Sequence, residues 1–140
     1  MNRKEEAIRL KLLKSKSLLE EVTVLMDHKF YVSSISRLYY SCFHATKALL
    51  LTKDLLPKTH SGVINQLHHH FVLPGLFDPS FATFFSRLMQ ERIDDDYSDF
   101  MIINEEEVIE YIQPAQEYLA YIEKLIGDYF EQDNGNETIA

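Results

Sequence analysis

The segment Ser36-Arg37-Leu38-Tyr39-Tyr40-Ser41-Cys42-Phe43-His44-Ala45 reads as one amphipathic helix with an unusual polar side. Leu38, Cys42, Ala45 and Leu49 recur at i, i+4, i+7 and i+11, the spacing that lines one face of an α-helix. Tyr39, Tyr40 and Phe43 widen the apolar surface beyond that stripe. A helix apolar on so many sides is either central in its bundle or covered by a second subunit. Arg37 and His44 stand close to two helical turns apart, so both project from one face, about 10 Å apart along the axis.

Outward from this segment the chain keeps helical periodicity. Upstream, Ile8, Leu12, Ser15, Leu19, Val22 and Met26 share one side of an expected helix over about 3–27. Asp27-His28-Lys29 reads as a turn, and the central helix is expected over about 30–53, stopped by Leu56-Pro57. Thr59 or Ser61 can cap a third helix over about 60–72, closed by Pro74-Gly75. A fourth helix starts at Asp78 or Ser80 and runs to about Arg92, with Asp94-Asp95-Asp96 and Tyr97 read as a loop. Asn104, with Glu107 three residues on, gives a capping-box start to a fifth helix that ends near Glu131. Pro114 inside it should bend it locally.

The 140 residues suit a single helical domain over 1–131, followed by a polar, flexible tail at 132–140. Four glycines and four prolines leave few turn signals, hence long elements. The expected class is all-α: an antiparallel up-and-down bundle of four to five helices. The 46% apolar content is enough for a real core, and the single cysteine excludes an internal disulfide and points to a reducing compartment. The charged start MNRKEEAIRLKLLKSK is not the pattern of a secretory leader, and no apolar run is long enough to span a membrane. A cytoplasmic location is therefore expected. The net charge of −8 repels nucleic acid on average, so any nucleic-acid role needs a local basic patch or a basic partner.

Arg37 and His44 are the residues best suited to chemistry. An arginine offers phosphate oxygens a planar fork of donors, and a histidine exchanges protons near neutral pH. Together they suit RNA cleavage, in which a 2′-hydroxyl attacks the adjacent phosphate, with Tyr40 and Ser41 placed to orient it. The plainer alternative is that Arg37 pairs with an acidic neighbour and His44 packs as a partly buried ring. Lys58-Thr59-His60-Ser61-Gly62 offers a helix start with basic and hydroxyl groups, an arrangement suited to an anion or simply a cap. His68-His69-His70 fan out about 100° apart on a helix, which does not suit one metal ion. The Asp94–Asp96 run is more simply a solvated loop than a magnesium site. Cys42, in an apolar stretch, reads as a buried thiol. Neither a metal nor a cofactor is implied.

The succession R-L-Y-Y-S-C-F-H-A-T-K-A-L-L-L, K-T-H-S-G-V and R-I-D-D-D-Y resembles the HEPN family (higher eukaryotes and prokaryotes nucleotide-binding), in its small stand-alone prokaryotic branch. The likeness spans roughly residues 5 to 128. It implies a bundle of about five helices, usually homodimeric. Many members carry an R-x(4–6)-H motif and act as metal-independent RNases, often as toxins encoded beside a minimal nucleotidyltransferase that serves as antitoxin. Arg37 and His44 fit the wide end of that motif, and Arg92 and Tyr97 match a second one. Arg92 would then pair with the local aspartates or form a wall of the same cleft. Leu38 stands where active members often have a polar residue. Thr46 stands where one toxin variant carries a tyrosine that receives a nucleotide. Two functions follow as expectations: RNA cleavage at Arg37 and His44, in a composite cleft between two subunits, or a non-catalytic module that binds a nucleotide or docks the nucleotidyltransferase.

Overall fold

The computed structural model describes residues 2–97 and 103–139, with side chains over 2–92 and 103–132. Five helices follow one another: α1 (Arg3–Asp27), α2 (Tyr31–Leu51), α3 (His60–Leu67), α4 (Pro79–Tyr97) and α5 (Glu105–Ile139). A π-helical turn, His68–Val72, extends α3. Among the described residues there is no strand, so the chain is an all-α bundle.

The caps are those a helix start requires. The side-chain oxygens of Asn2, Thr59 and Asn104 accept from the backbone N–H of Glu5, Gly62 and Glu107 at 2.7, 2.9 and 2.9 Å. Asp78 takes the N–H and hydroxyl of Ser80, with Pro79 in the first helical position. Gly62 has a packing reason: a Cβ there would stand 2.8 Å from the capping Thr59 hydroxyl. At three other chain reversals a left-handed residue closes the preceding turn. Lys29, Asp54 and Gly75 have φ of 62°, 59° and 82°. The N–H that follows each bonds back across the turn: Phe30 to Leu25, Leu55 to Leu50, Leu76 to Phe71. Asp54, not Pro57, therefore ends the central helical segment.

α1 and α2 form an antiparallel hairpin. Lys4 Nζ donates to the Thr52 carbonyl, Ser15 meets Ser41, and Arg37 meets Glu21, in the order that converges on the turn. At its middle the two serines exchange bonds: each hydroxyl donates to the other's carbonyl oxygen at 2.8 Å. Small residues there let the backbones approach. α2 also packs on α3, α4 and α5, so most of its apolar surface is covered within the chain, with Tyr40 and Phe43 half-buried. It is the central helix, and a second subunit is not needed to explain its composition. Tyr39, Phe85 and Tyr118 are the largest fully buried side chains and stack in sequence from α2 through α4 to α5. The Tyr118 hydroxyl meets Thr46 Oγ1 at 2.6 Å, and Thr46 donates to the Cys42 carbonyl at 2.7 Å. Cys42 is buried, and burial pushes its thiol up.

Two expected boundaries move. The run Asp94-Asp95-Asp96 is helical rather than a loop, and α4 continues to Tyr97. No glycine or proline lies between Arg92 and Asn104, and acidic residues at a helix end cost only tenths of a kcal/mol to about 1 kcal/mol. α5 runs unbroken through Pro114 to Ile139, past the expected end near Glu131 and through most of the expected tail.

Candidate functional site

Among the described residues one side of α2 is left partly uncovered. Arg37, Tyr40, His44 and Lys47 occur at i, i+3, i+7 and i+10, opposite the buried Leu38, Cys42, Ala45 and Leu49. Arg37 is exposed, and the other three are half-buried. Arg37 Nε donates to Glu21 Oε2 of α1 at 2.8 Å, with both side chains nearly half exposed. The plainer expectation for this arginine, an acidic neighbour, is therefore met. The His44 ring lies between those of Tyr40 and Phe43, at 6.3 and 5.5 Å between centroids. Among the described residues no hydrogen bond holds it.

His44 opens onto a hollow of about 320 Å³ lined by Ala7, Leu10, Lys11, Lys14, His44 and Lys47. Among the described residues no carboxylate lines it, in a chain that is acidic as a whole. Burial first, and then Lys14, Lys47 and Lys11, lower the His44 pKa to about 4. Burial, with Lys11 and Lys14 close by, also lowers the pKa of Lys47. At neutral pH the imidazole is uncharged and can accept a proton, and a phosphate in the hollow would offset the lysine field that disfavours protonation.

Ser41 does not belong to this surface. It is fully buried and bonded to Ser15, so the expectation that it orients a phosphate is corrected. The small hydroxyl joins two helices. Thr46 is likewise a core residue.

The opposite bank comes from α3 and α4. The His60 ring packs on Phe43 at 4.6 Å and on Tyr40 at 6.0 Å. Its Nδ1 shares a 2.5 Å hydrogen bond with the hydroxyl of the fully buried Tyr39. Arg92 lies over the rings of Tyr39 and Tyr40, with Cζ 5.6 and 5.0 Å from their centroids. A cation over ring faces is attracted to them. Burial, then Arg92 and Lys47, lower the His60 pKa. The rest of Lys58–Ser61 is less engaged. Thr59 spends its hydroxyl on the cap, Ser61 Oγ stands 3.4 Å from it, and Lys58 is exposed. The side chains of Tyr97 and Asp94–Asp96 lie outside the described residues.

The structure thus brings Arg37, Tyr40 and His44 onto one strip, with His60 and Arg92 beside it. Lys11, Lys14, Lys47 and Tyr39 escaped the sequence reading as site residues. Lys47 could have been found, since it follows His44 by three residues. Lys11 and Lys14 become visible only once the Ser15–Ser41 pairing fixes how α1 lies on α2. Among the described residues no group of three or more histidine, cysteine, aspartate or glutamate side chains could hold a metal ion. No described helix is long and apolar enough to cross a membrane.

The class of this five-helix bundle follows from its likeness to known proteins. Residues 8–125 match the HEPN domain, and the chain belongs to that family. It is 33% identical over 128 residues to a "UPF0332 protein" of Thermotoga maritima, covering 91% of this chain and 97% of the relative. It is 33% identical over 108 residues to the "Putative toxin MJ0605" of Methanocaldococcus jannaschii, covering 77% and 80%. A second toxin-named protein of that organism is 35% identical over 99 residues, 71% of this chain and 67% of the relative.

Proposed function

We propose that this HEPN protein is a metal-independent endoribonuclease of a toxin–antitoxin or defence system, working at the α2 strip. The observation that carries the reading is the hollow at His44: a neutral imidazole among three lysines, with no carboxylate in the lining among the described residues. It gives an acidic chain the local basic surface that RNA requires. His44 would take the proton of the attacking 2′-hydroxyl. Arg37, on the same strip, would meet the charge of the phosphorane, releasing Glu21 as it does so. The P–O5′ bond then breaks to leave a 2′,3′-cyclic phosphate, and the departing 5′-oxygen takes the proton from the His44 imidazolium. The toxin-named relatives support the setting. The active form we propose is a cytoplasmic homodimer. Leu10 and Leu13 are 58% and 63% exposed on α1 next to the hollow, and apolar surface there suits a partner subunit that completes the cleft. Sedimentation equilibrium at micromolar concentration should give twice the chain mass, and a clean monomer would remove the composite cleft.

A second reading has its own observation. The Glu21–Arg37 pair engages the arginine within the chain, which favours a non-catalytic module that binds a nucleotide or a minimal nucleotidyltransferase. Total RNA incubated in EDTA with the wild type and with His44→Ala separates the two. Cleavage by the wild type that is lost by about 10²–10⁴-fold in the variant supports the enzyme. Intact RNA in both supports the module.

A further inference from the structure

The geometry points to His60 as a phosphate-binding residue that Tyr39 holds in place, so that its Nε2–H is presented beside Arg92 to a phosphodiester oxygen. The ligand rests on the RNA reading above; the arrangement of the histidine does not.

Tyr39 carries the first step. Its side chain is fully buried, and its hydroxyl meets His60 Nδ1. Burial raises the Tyr39 pKa although Arg92 opposes it, so the hydroxyl keeps its proton. A buried hydroxyl that keeps its proton must place it on an acceptor, and its hydrogen-bond partner among the described residues is His60 Nδ1. Nδ1 therefore accepts. In a neutral imidazole the other nitrogen then carries the hydrogen. The Tyr39 bond thereby fixes both the tautomer and the plane of the ring, as an orienting partner does for a working histidine.

The surroundings supply the second step. The His60 ring is only partly buried. The charged groups that act on it among the described residues are Arg92 from α4 and Lys47 from α2, both cations. The other titratable neighbours are Tyr39 and Tyr40 of α2. Cations on both sides disfavour an imidazolium and favour an anion. A neutral N–H adds one more donor to such a place without adding repulsion. Phe43 packs against His60 on one side and His44 on the other. A phosphate held at His60 and Arg92 would thus lie on the strip that contains His44. The His44 hollow and the His60 corner then become neighbouring stations on one phosphodiester backbone.

The test uses the full-length chain and a single-stranded RNA whose riboses are 2′-O-methylated, which binds without being cut. Nitrogen NMR of the wild type should show His60 with Nε2 protonated and Nδ1 bare, and Tyr39→Phe should lose that single-tautomer signature while remaining folded. Binding followed by anisotropy in EDTA should weaken on the order of tenfold in His60→Ala. His60→Gln, which keeps an N–H near the Nε2 position, should recover most of the loss. Affinity should not change between about pH 7 and pH 8.5, since a neutral donor does not titrate there. A protonated Nδ1, or unchanged RNA affinity in His60→Ala, would overturn the inference and leave the RNA reading standing. A wild type that binds no RNA would refute the RNA reading, and with it the ligand assigned here.

Discussion

Acidification should destabilise this protein through His44 in a way that one substitution can isolate. The folded-state pKa is lowered from 6.5 to about 4, by burial first and then by Lys14, Lys47 and Lys11. A histidine whose folded pKa is depressed contributes its full stability above its unfolded value. That contribution is lost as pH falls from 6.5 towards 4, where the unfolded chain binds the proton and the folded chain resists it. At about 1.4 kcal/mol per tenfold change in proton affinity, the whole displacement would correspond to about 3.5 kcal/mol. The ring is only half-buried, and screening at such a site reduces this to about 1–2 kcal/mol. Roughly 1 kcal/mol of that should be lost between about pH 7 and pH 5. Carboxylates titrate in the same interval, so the comparison is with His44→Gln. Urea unfolding midpoints of both proteins at the two pH values give the difference: the variant should lose about 1 kcal/mol less than the wild type. Equal losses would mean that His44 titrates like a free histidine, and the lysine-lined hollow would then be wrong.

Other consequences are more direct. Ser41→Val removes the hydroxyl that donates to the Ser15 carbonyl, while the bond from Ser15 to the backbone carbonyl of residue 41 remains; it should cost about 1–3 kcal/mol in urea unfolding, with RNA affinity per folded molecule unchanged. Glu21→Gln frees Arg37 from an exposed ion pair. It should alter stability by less than about 1 kcal/mol while tightening RNA binding, and weaker binding would count against Arg37 as a phosphate ligand. Replacing Lys11 and Lys14 together by alanine should make the plot of log affinity against log salt shallower by about 1.4.

The bundle was legible because its signals are local. Helical spacing in α1 and α2, the caps at Thr59 and Asn104, and the Pro74-Gly75 turn each act within a few residues. The left-handed Lys29 and Asp54 were not legible as such, because neither is glycine and their conformation is imposed by the helix ends they close. α4 outran its expected end because aspartates weaken a helix terminus without forbidding it. The site was half legible. Arg37, Tyr40 and His44 share a face by periodicity alone. That Ser41 turns inward, that Lys11 and Lys14 reach His44, and that Tyr39 bonds His60 depend on how the helices lie against one another. A single sequence does not encode that locally.

The central claim is that RNA meets this chain along the α2 strip. Backbone NMR of the protein titrated with 2′-O-methyl RNA tests it without relying on catalysis. The account predicts shifts concentrated at Arg37, Tyr40, His44 and Lys47, with Lys11 and Lys14 on one bank and His60 and Arg92 on the other. Shifts confined instead to the hollow of about 550 Å³ between α3 and α4, around Asn65, His69 and Ser86, would place the RNA elsewhere and contradict it.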